Sequence, residues 1–138
     1  MNRHQARELA FSLIFEREFD KARTPDELYD LAKETRDVEE SGYVRGVLRG
    51  VAEKEEEIEA FIAESAVGWS LKRISKISLS VLKLSVYEML YCKEVPIPVS
   101  LNEAIELVKS YDEEGARAFV NGILHAVSKK ATALRNGE

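Results

Sequence analysis

Positively charged side chains are unevenly distributed along this chain, and clusters of such side chains are what proteins use to contact phosphate groups. The net charge of the 138 residues is −5, which by itself argues against a nucleic-acid ligand. Residues 16–65 contain 16 acidic and 8 basic residues, whereas residues 66–102 contain 2 acidic and 5 basic ones. The first seven residues include Arg3, His4 and Arg7 and no acid. Phosphate contacts are local, so anion binding stays open, although a charged helical protein can show this asymmetry by chance.

Residue types that catalyse reactions or bind metals do not occur here in the patterns typical of such sites. His4 and His125 lie at opposite ends of the chain, and neither HExxH nor CxxC spacing is present. Cys92 has no neighbour that would activate a thiol, and the seven glycines form no phosphate-binding loop. Glu103 and Glu106 are one turn apart, but a helix cap and a solvated side chain explain them without catalysis. We therefore expect no catalytic residue, no metal and no cofactor.

The composition is typical of a single globular domain. Apolar residues make up 45% of the chain and charged residues 33%, and 138 residues are enough for one hydrophobic core. The N-terminal residues do not resemble a signal peptide, and no run of 18 apolar residues occurs. A single cysteine excludes an internal disulfide and fits a reducing compartment. These features predict a cytoplasmic protein without a membrane segment.

Hydrophobic spacing predicts helices throughout the chain, and no segment shows the alternation of a strand. Thr24–Glu27 combines an N-cap threonine, a proline in the first turn and a capping-box glutamate, so a helix should begin there. After Pro96 and Pro98, which we expect to end one helix, Ser100 and Glu103 form a similar capping pair that should begin the next. The sequence predicts an all-α fold of about seven helices.

The segment 74–92 is apolar on nearly all sides, which predicts a central and largely buried helix. Its polar exceptions, Lys76, Ser80, Lys83 and Tyr87, are spaced by four, three and four residues. Residues with this spacing share one face of a helix, so we expect them to form a narrow polar line on the surface.

Four segments, in order and spacing, resemble the NusB family of transcription antitermination factors over nearly the whole chain. They are an arginine-containing start, a tryptophan-containing turn, a central Leu-Lys-Leu-x-x-Tyr-Glu segment, and a two-part block near the C-terminus. In this sequence they are Arg3–Ala10, Trp69–Ser75, Leu82–Glu88, and Asn102–Leu107 with Phe119–Leu124.

This resemblance implies one domain built from two packed helical subdomains, residues 1–66 and 67–138. It implies a non-enzymatic factor that binds the single-stranded boxA element of nascent ribosomal RNA together with the ribosomal protein NusE. With other Nus factors, such a complex helps RNA polymerase read through terminators and assists maturation of the RNA.

The resemblance also implies site residues. Cations that follow an RNA backbone and aromatic rings that stack on bases are expected at Arg3, His4, Arg7, Lys76, Lys83, Tyr111 and Phe119. Contacts with NusE are expected at Phe15, Ser78 and Tyr87, and they should be rather apolar because the family usually has a tyrosine and an acid at the first two positions. We expect Arg7 and Lys83 to be exposed, so that replacing either weakens RNA binding with little loss of stability. A core role for Phe119 stays open.

Two other classes of protein also fit the sequence. A similar domain occurs as the RNA-binding part of ribosomal RNA methyltransferases, a class that we do not expect here because these 138 residues contain no cofactor-binding fold after it. A helical protein-interaction module without any RNA ligand would explain every apolar stripe equally well.

Overall fold

Seven α-helices and one 3₁₀ turn make up the structure, a computed structural model that describes residues 1–66, 68 and 71–137. In chain order they are α1 (Arg3–Phe19), α2 (Pro25–Arg36), α3 (Gly42–Glu53), α4 (Glu55–Ser65), the 3₁₀ turn Leu71–Arg73, α5 (Lys76–Tyr91), α6 (Ile97–Tyr111) and α7 (Glu114–Arg135). The described residues contain no strand, which confirms the all-α prediction, and none of their helices is long and apolar enough to cross a membrane. The tryptophan turn at Trp69 and Ser70 lies outside the described residues.

Local sequence determines where the helices begin. The Thr24 hydroxyl accepts a hydrogen bond from the Glu27 backbone N–H, and the Glu27 carboxylate accepts one from the Thr24 N–H, which confirms the predicted start of α2. The predicted start at Ser100 is wrong, because α6 begins at Ile97 and includes Pro98 in its first turn. Backbone N–H groups in a first turn have no acceptor within the helix, so a proline there removes no hydrogen bond.

Helix α5 lies at the centre of the fold and packs against α1, α3, α4, α6 and α7. Eleven of its 16 residues are buried, among them Leu82, which confirms the predicted central helix. Tyr87 lies directly over Gly50 of α3, where a Cβ atom would overlap the tyrosine ring. Glycine at this position therefore allows α3 and α5 to approach each other closely.

A buried carboxylate on α5, that of Glu88, joins several helices through its hydrogen bonds. Its Oε2 accepts from Arg7 Nε of α1 at 3.0 Å and from the Tyr43 hydroxyl of α3 at 2.9 Å. Its Oε1 accepts from the Ser100 hydroxyl of α6 at 3.0 Å. Arg135 of α7 donates to the main-chain carbonyl of Glu88 at 3.1 Å. Five helices thus meet at one residue.

The Arg7 side chain is only 5% exposed and that of Glu88 only 2%, so the two charges neutralise each other inside the protein. The expectation that Arg7 lies on the surface and can be replaced with little loss of fold is therefore wrong. Removing one member of a buried ion pair leaves an uncompensated charge in a medium of low polarity, which destabilises the fold strongly.

A second buried ionic cluster surrounds Lys83, whose side chain is 0% exposed. Its ammonium group contacts Glu18 of α1 and, at 3.1 Å each, Glu55 and Glu59 of α4. Burial alone would lower the pKa of Lys83, but the hydrogen bonds and charges of these carboxylates raise it above the ordinary value. The predicted polar line on α5 is wrong in its middle, since Ser80 and Lys83 are both buried.

Replacing Lys83 by alanine should lower the free energy of unfolding by about 3–5 kcal/mol, because three carboxylates then face each other without their cation. Lys76→Ala makes the same chemical change at an exposed position of the same helix, and it should alter the free energy of unfolding by less than about 0.5 kcal/mol. Urea denaturation followed by circular dichroism measures both values. Equal losses in the two variants would contradict the cluster.

Glu55 should make stability depend on pH. Burial alone would raise its pKa, but Lys83 and Arg17 attract and hydrogen-bond the carboxylate, and the pKa is lowered from the ordinary 4.5. A carboxyl with a lowered folded-state pKa stabilises the protein fully above its unfolded pKa, and this contribution is lost as pH falls through the folded value. Between about pH 5 and pH 3 the free energy of unfolding should fall, and less steeply in Glu55→Gln. If the free energy of unfolding depends on pH identically in the wild type and in Glu55→Gln, this role of Glu55 is refuted.

Candidate functional site

A polar surface forms where the first turns of α1 lie beside α6. We call it the α1–α6 surface: His4, Glu8, Glu103 and Tyr111 contact one another there, and Arg3 adjoins them from the α3 side, over Tyr43. Arg3, His4 and Tyr111 are exposed, and the two glutamates are half-buried. Residues about 100 positions apart in the sequence thus form one surface.

The start of α1 is fixed by a capping box that leaves its first turn without an acid. The Asn2 side chain accepts a hydrogen bond from the Gln5 backbone N–H, and the Gln5 side chain accepts one from the Asn2 N–H. Arg3 lies over the ring of Tyr43, with its Cζ atom 4.3 Å from the ring centroid. The positive end of the helix dipole and a positioned guanidinium therefore coincide at this end of α1, which favours an anionic ligand.

His4 lies between two carboxylates. Its Nδ1 is 2.9 Å from Glu103 Oε2, and its Nε2 is 3.3 Å from Glu8 Oε1. The hydrogen bond to Glu103 is the main cause of a raised pKa at His4. Glu103, which the sequence assigned to a helix cap, instead holds this histidine.

Tyr111 supplies an exposed aromatic ring in a defined position. Its hydroxyl donates to Glu8 Oε2 at 2.7 Å, and its ring centroid lies 5.1 Å from that of Phe11. The hydrogen bond to Glu8 raises the pKa of Tyr111, so the hydroxyl stays protonated. Tyr111 is 46% exposed, and an exposed ring fixed at two points suits stacking with a base.

Of the other residues expected to bind RNA, none lies in the α1–α6 surface. Lys76 is exposed, but it lies beside Glu18 at 3.8 Å, about 21 Å from His4 along the α1 axis. Phe119 is half-buried and packs against the core, as the alternative interpretation allowed. Arg7 and Lys83 are internal.

The roles of Glu8 and Glu103 in the α1–α6 surface were not predicted from the sequence. The spacing of His4 and Glu8, one helical turn apart, is a signal that would have indicated the first contact. No local pattern indicates the second, because Glu103 lies 99 residues from His4.

The residues expected to contact a partner protein lie in three different settings. Phe15 is half-buried and packs edge-on against Phe19, whose exposed fraction is 67%. Ser78 is 1% exposed, and its hydroxyl donates to the carboxylate of Asp112. Tyr87 is half-buried over Gly50 and is therefore largely a packing residue. Phe15 with Phe19, and Tyr87 with the exposed Tyr91 at a centroid distance of 5.5 Å, both present aromatic surface to solvent.

Comparison with known proteins agrees with this architecture. The model of the NusB family matches residues 4–129. The transcription antitermination protein NusB of Ruminiclostridium cellulolyticum is 42% identical over 131 residues, which cover 94% of this chain and 90% of that protein.

Solved structures show the same fold. The structure of T. maritima NusB has a TM-score of 0.80 at 32% identity and covers 94% of this chain and 92% of that chain. A chain in the crystal structure of the antitermination factors NusB and NusE in complex with dsRNA has a TM-score of 0.81 at 26% identity, with coverage of 94% and 99%. The fold, the matched family model and the level of identity together show that this chain belongs to the NusB family.

Proposed function

We propose that this protein is a bacterial transcription antitermination factor. It binds boxA-type single-stranded RNA of nascent ribosomal RNA together with the ribosomal protein NusE. In the cytoplasm, with other Nus factors, the complex lets RNA polymerase read through terminators and assists maturation of the ribosomal RNA. The protein acts by binding, without catalysis and without a cofactor. The α1–α6 surface is the observation that supports this proposal most strongly.

The α1–α6 surface has the two kinds of group that single-stranded RNA requires. Arg3, His4 and the N-terminal end of α1 supply positive charge for the phosphates, and Tyr111 supplies a ring for a base. Phe119 on α7 and Lys76 near the opposite end of α1 lie outside this surface, and they are further RNA contacts in the proposal. Arg7 supports this surface from within the fold through Glu88 and Tyr43, whereas Lys83 lies in the buried cluster near the other end of α1.

The proposed NusE contact lies at the other end of α1. Phe15, which is half-buried, and Phe19, which is 67% exposed, present aromatic area there. Ser78 holds Asp112 in place, so a carboxylate is available near a position where the family usually has one. Tyr87 contributes to this contact indirectly, because its packing over Gly50 fixes the position of α5 relative to α3. His4 and Phe15 are about 16 Å apart along α1, so RNA and NusE contact different residues of this helix.

A fluorescence titration of labelled boxA RNA tests the proposal. We expect the protein to bind this RNA more tightly than a scrambled RNA of equal length, and NusE to increase the affinity. Affinity should also fall as salt is added, because phosphate contacts release counterions. Equal affinity for both RNAs would refute boxA recognition, and no binding at low salt would favour the protein-interaction module.

Tyr111→Ala should weaken RNA binding by about 1–3 kcal/mol, because one base loses its stacking partner. Tyr111→Phe keeps the ring and loses only the hydroxyl, so it should bind nearly as well as the wild type. The same fluorescence titration compares the two variants. Equal weakening would mean that the bond to Glu8 matters rather than the ring.

Phe15→Ala should weaken NusE binding by about 1–3 kcal/mol, as the loss of an aromatic anchor at an interface does. RNA binding by the protein alone should change much less, because Phe15 is not a member of the α1–α6 surface: Tyr111 packs on Phe11, one turn earlier in α1. Isothermal titration calorimetry with NusE measures the first effect, and the RNA titration measures the second. Unchanged NusE affinity in a folded variant would place the interface elsewhere.

A further inference from the structure

The His4 ring hydrogen-bonds to one carboxylate and faces a second one with its other nitrogen. An ionised carboxylate only accepts hydrogen bonds, and a neutral imidazole has a single N–H group. His4 faces Glu103 through Nδ1 at 2.9 Å and Glu8 through Nε2 at 3.3 Å. With the single proton of a neutral ring on Nδ1, where it bonds to Glu103, the Nε2 lone pair faces the Glu8 carboxylate, and this second contact becomes attractive only when the ring is an imidazolium.

The charges around His4 favour that form. Glu8 faces it from α1 and Glu103 from α6, and both raise its pKa. Arg7 on α1 acts in the opposite direction, but its charge is paired with Glu88. The side chain of His4 is 51% exposed, so it exchanges protons with solvent freely.

We propose that His4 links RNA binding to proton uptake, with the imidazolium balancing Glu8 and Glu103 so that the α1–α6 surface accepts RNA phosphates. This inference rests on the proposed function, because it concerns the same surface. It adds a dependence of RNA binding on pH, which neither the fold nor membership of the family assigns to this chain.

Local charge explains the direction of the effect. With His4 protonated, Arg3 and His4 balance the two glutamates, and with His4 neutral the surface has one net negative charge. A phosphate placed nearby adds further negative charge and holds the proton on His4 more tightly. A histidine whose pKa is raised by binding contributes affinity below its free-state pKa, and this contribution is lost as pH rises through the bound-state value.

Titration of boxA RNA at about pH 6, 7 and 8 and constant ionic strength tests the inference. The wild type should bind about 3–10-fold more tightly at the lowest pH than at the highest, within the limit of tenfold per pH unit for one proton. His4→Arg, a permanent cation, and His4→Gln, a neutral side chain, should both bind with little pH dependence, the first more tightly. His125→Gln, at the only other histidine, should behave like the wild type.

Calorimetry in two buffers with different ionisation enthalpies measures the proton directly. We expect uptake of up to about one proton per bound RNA in the wild type and in His125→Gln, and close to none in His4→Gln. If RNA binds with the same affinity across this pH range and without proton uptake, the inference is wrong while the proposed function stands. If the affinity of His4→Gln for RNA still depends on pH, the inference is also wrong. Absence of RNA binding at every pH overturns both.

Discussion

Burial of the Glu88 carboxylate is the constraint on which the arrangement of the helices depends. An ionised carboxylate in an apolar core costs several kcal/mol unless a counter-ion and hydrogen-bond donors surround it. Here Arg7, Tyr43 and Ser100 provide these groups from α1, α3 and α6. Each must lie within hydrogen-bonding distance of one carboxyl group, so the positions of three helices around α5 are coupled. The same tyrosine holds Arg3 on its ring, which connects the buried pair to the exposed cation.

Helix α1 has two distinct roles on its two sides. On its inner side Arg7 and Glu18 pair with charges on α5, at Glu88 and Lys83. On its outer side the first turns face α6 with His4, and the last turns expose the Phe15–Phe19 pair. A binding surface on such a helix keeps its geometry because the inner pairs fix both rotation and translation of the helix.

The elements that the sequence predicted well are those that depend on local patterns. The cap at Thr24 and the all-round apolar character of α5 are visible within a few turns of helix. The burial of Arg7 and Lys83 was not predictable, because their partners lie 81 and up to 65 residues away in the sequence. A charged side chain is expected to be exposed unless such a partner is known. The start of α6 was misplaced because a proline is tolerated in a first turn, so Ser100 looked like a cap when it is a core hydrogen-bond donor.

A double-mutant cycle on the buried pair tests the central claim most directly. The free energies of unfolding of Arg7→Met, Glu88→Met and the double variant are compared with the wild type in urea. Each single change should cost about 3–5 kcal/mol, because it leaves an unpaired buried charge. The double variant should lose at least about 2 kcal/mol less than the sum of the two single losses. Losses that simply add would contradict the account, since the two side chains would then not act as a pair.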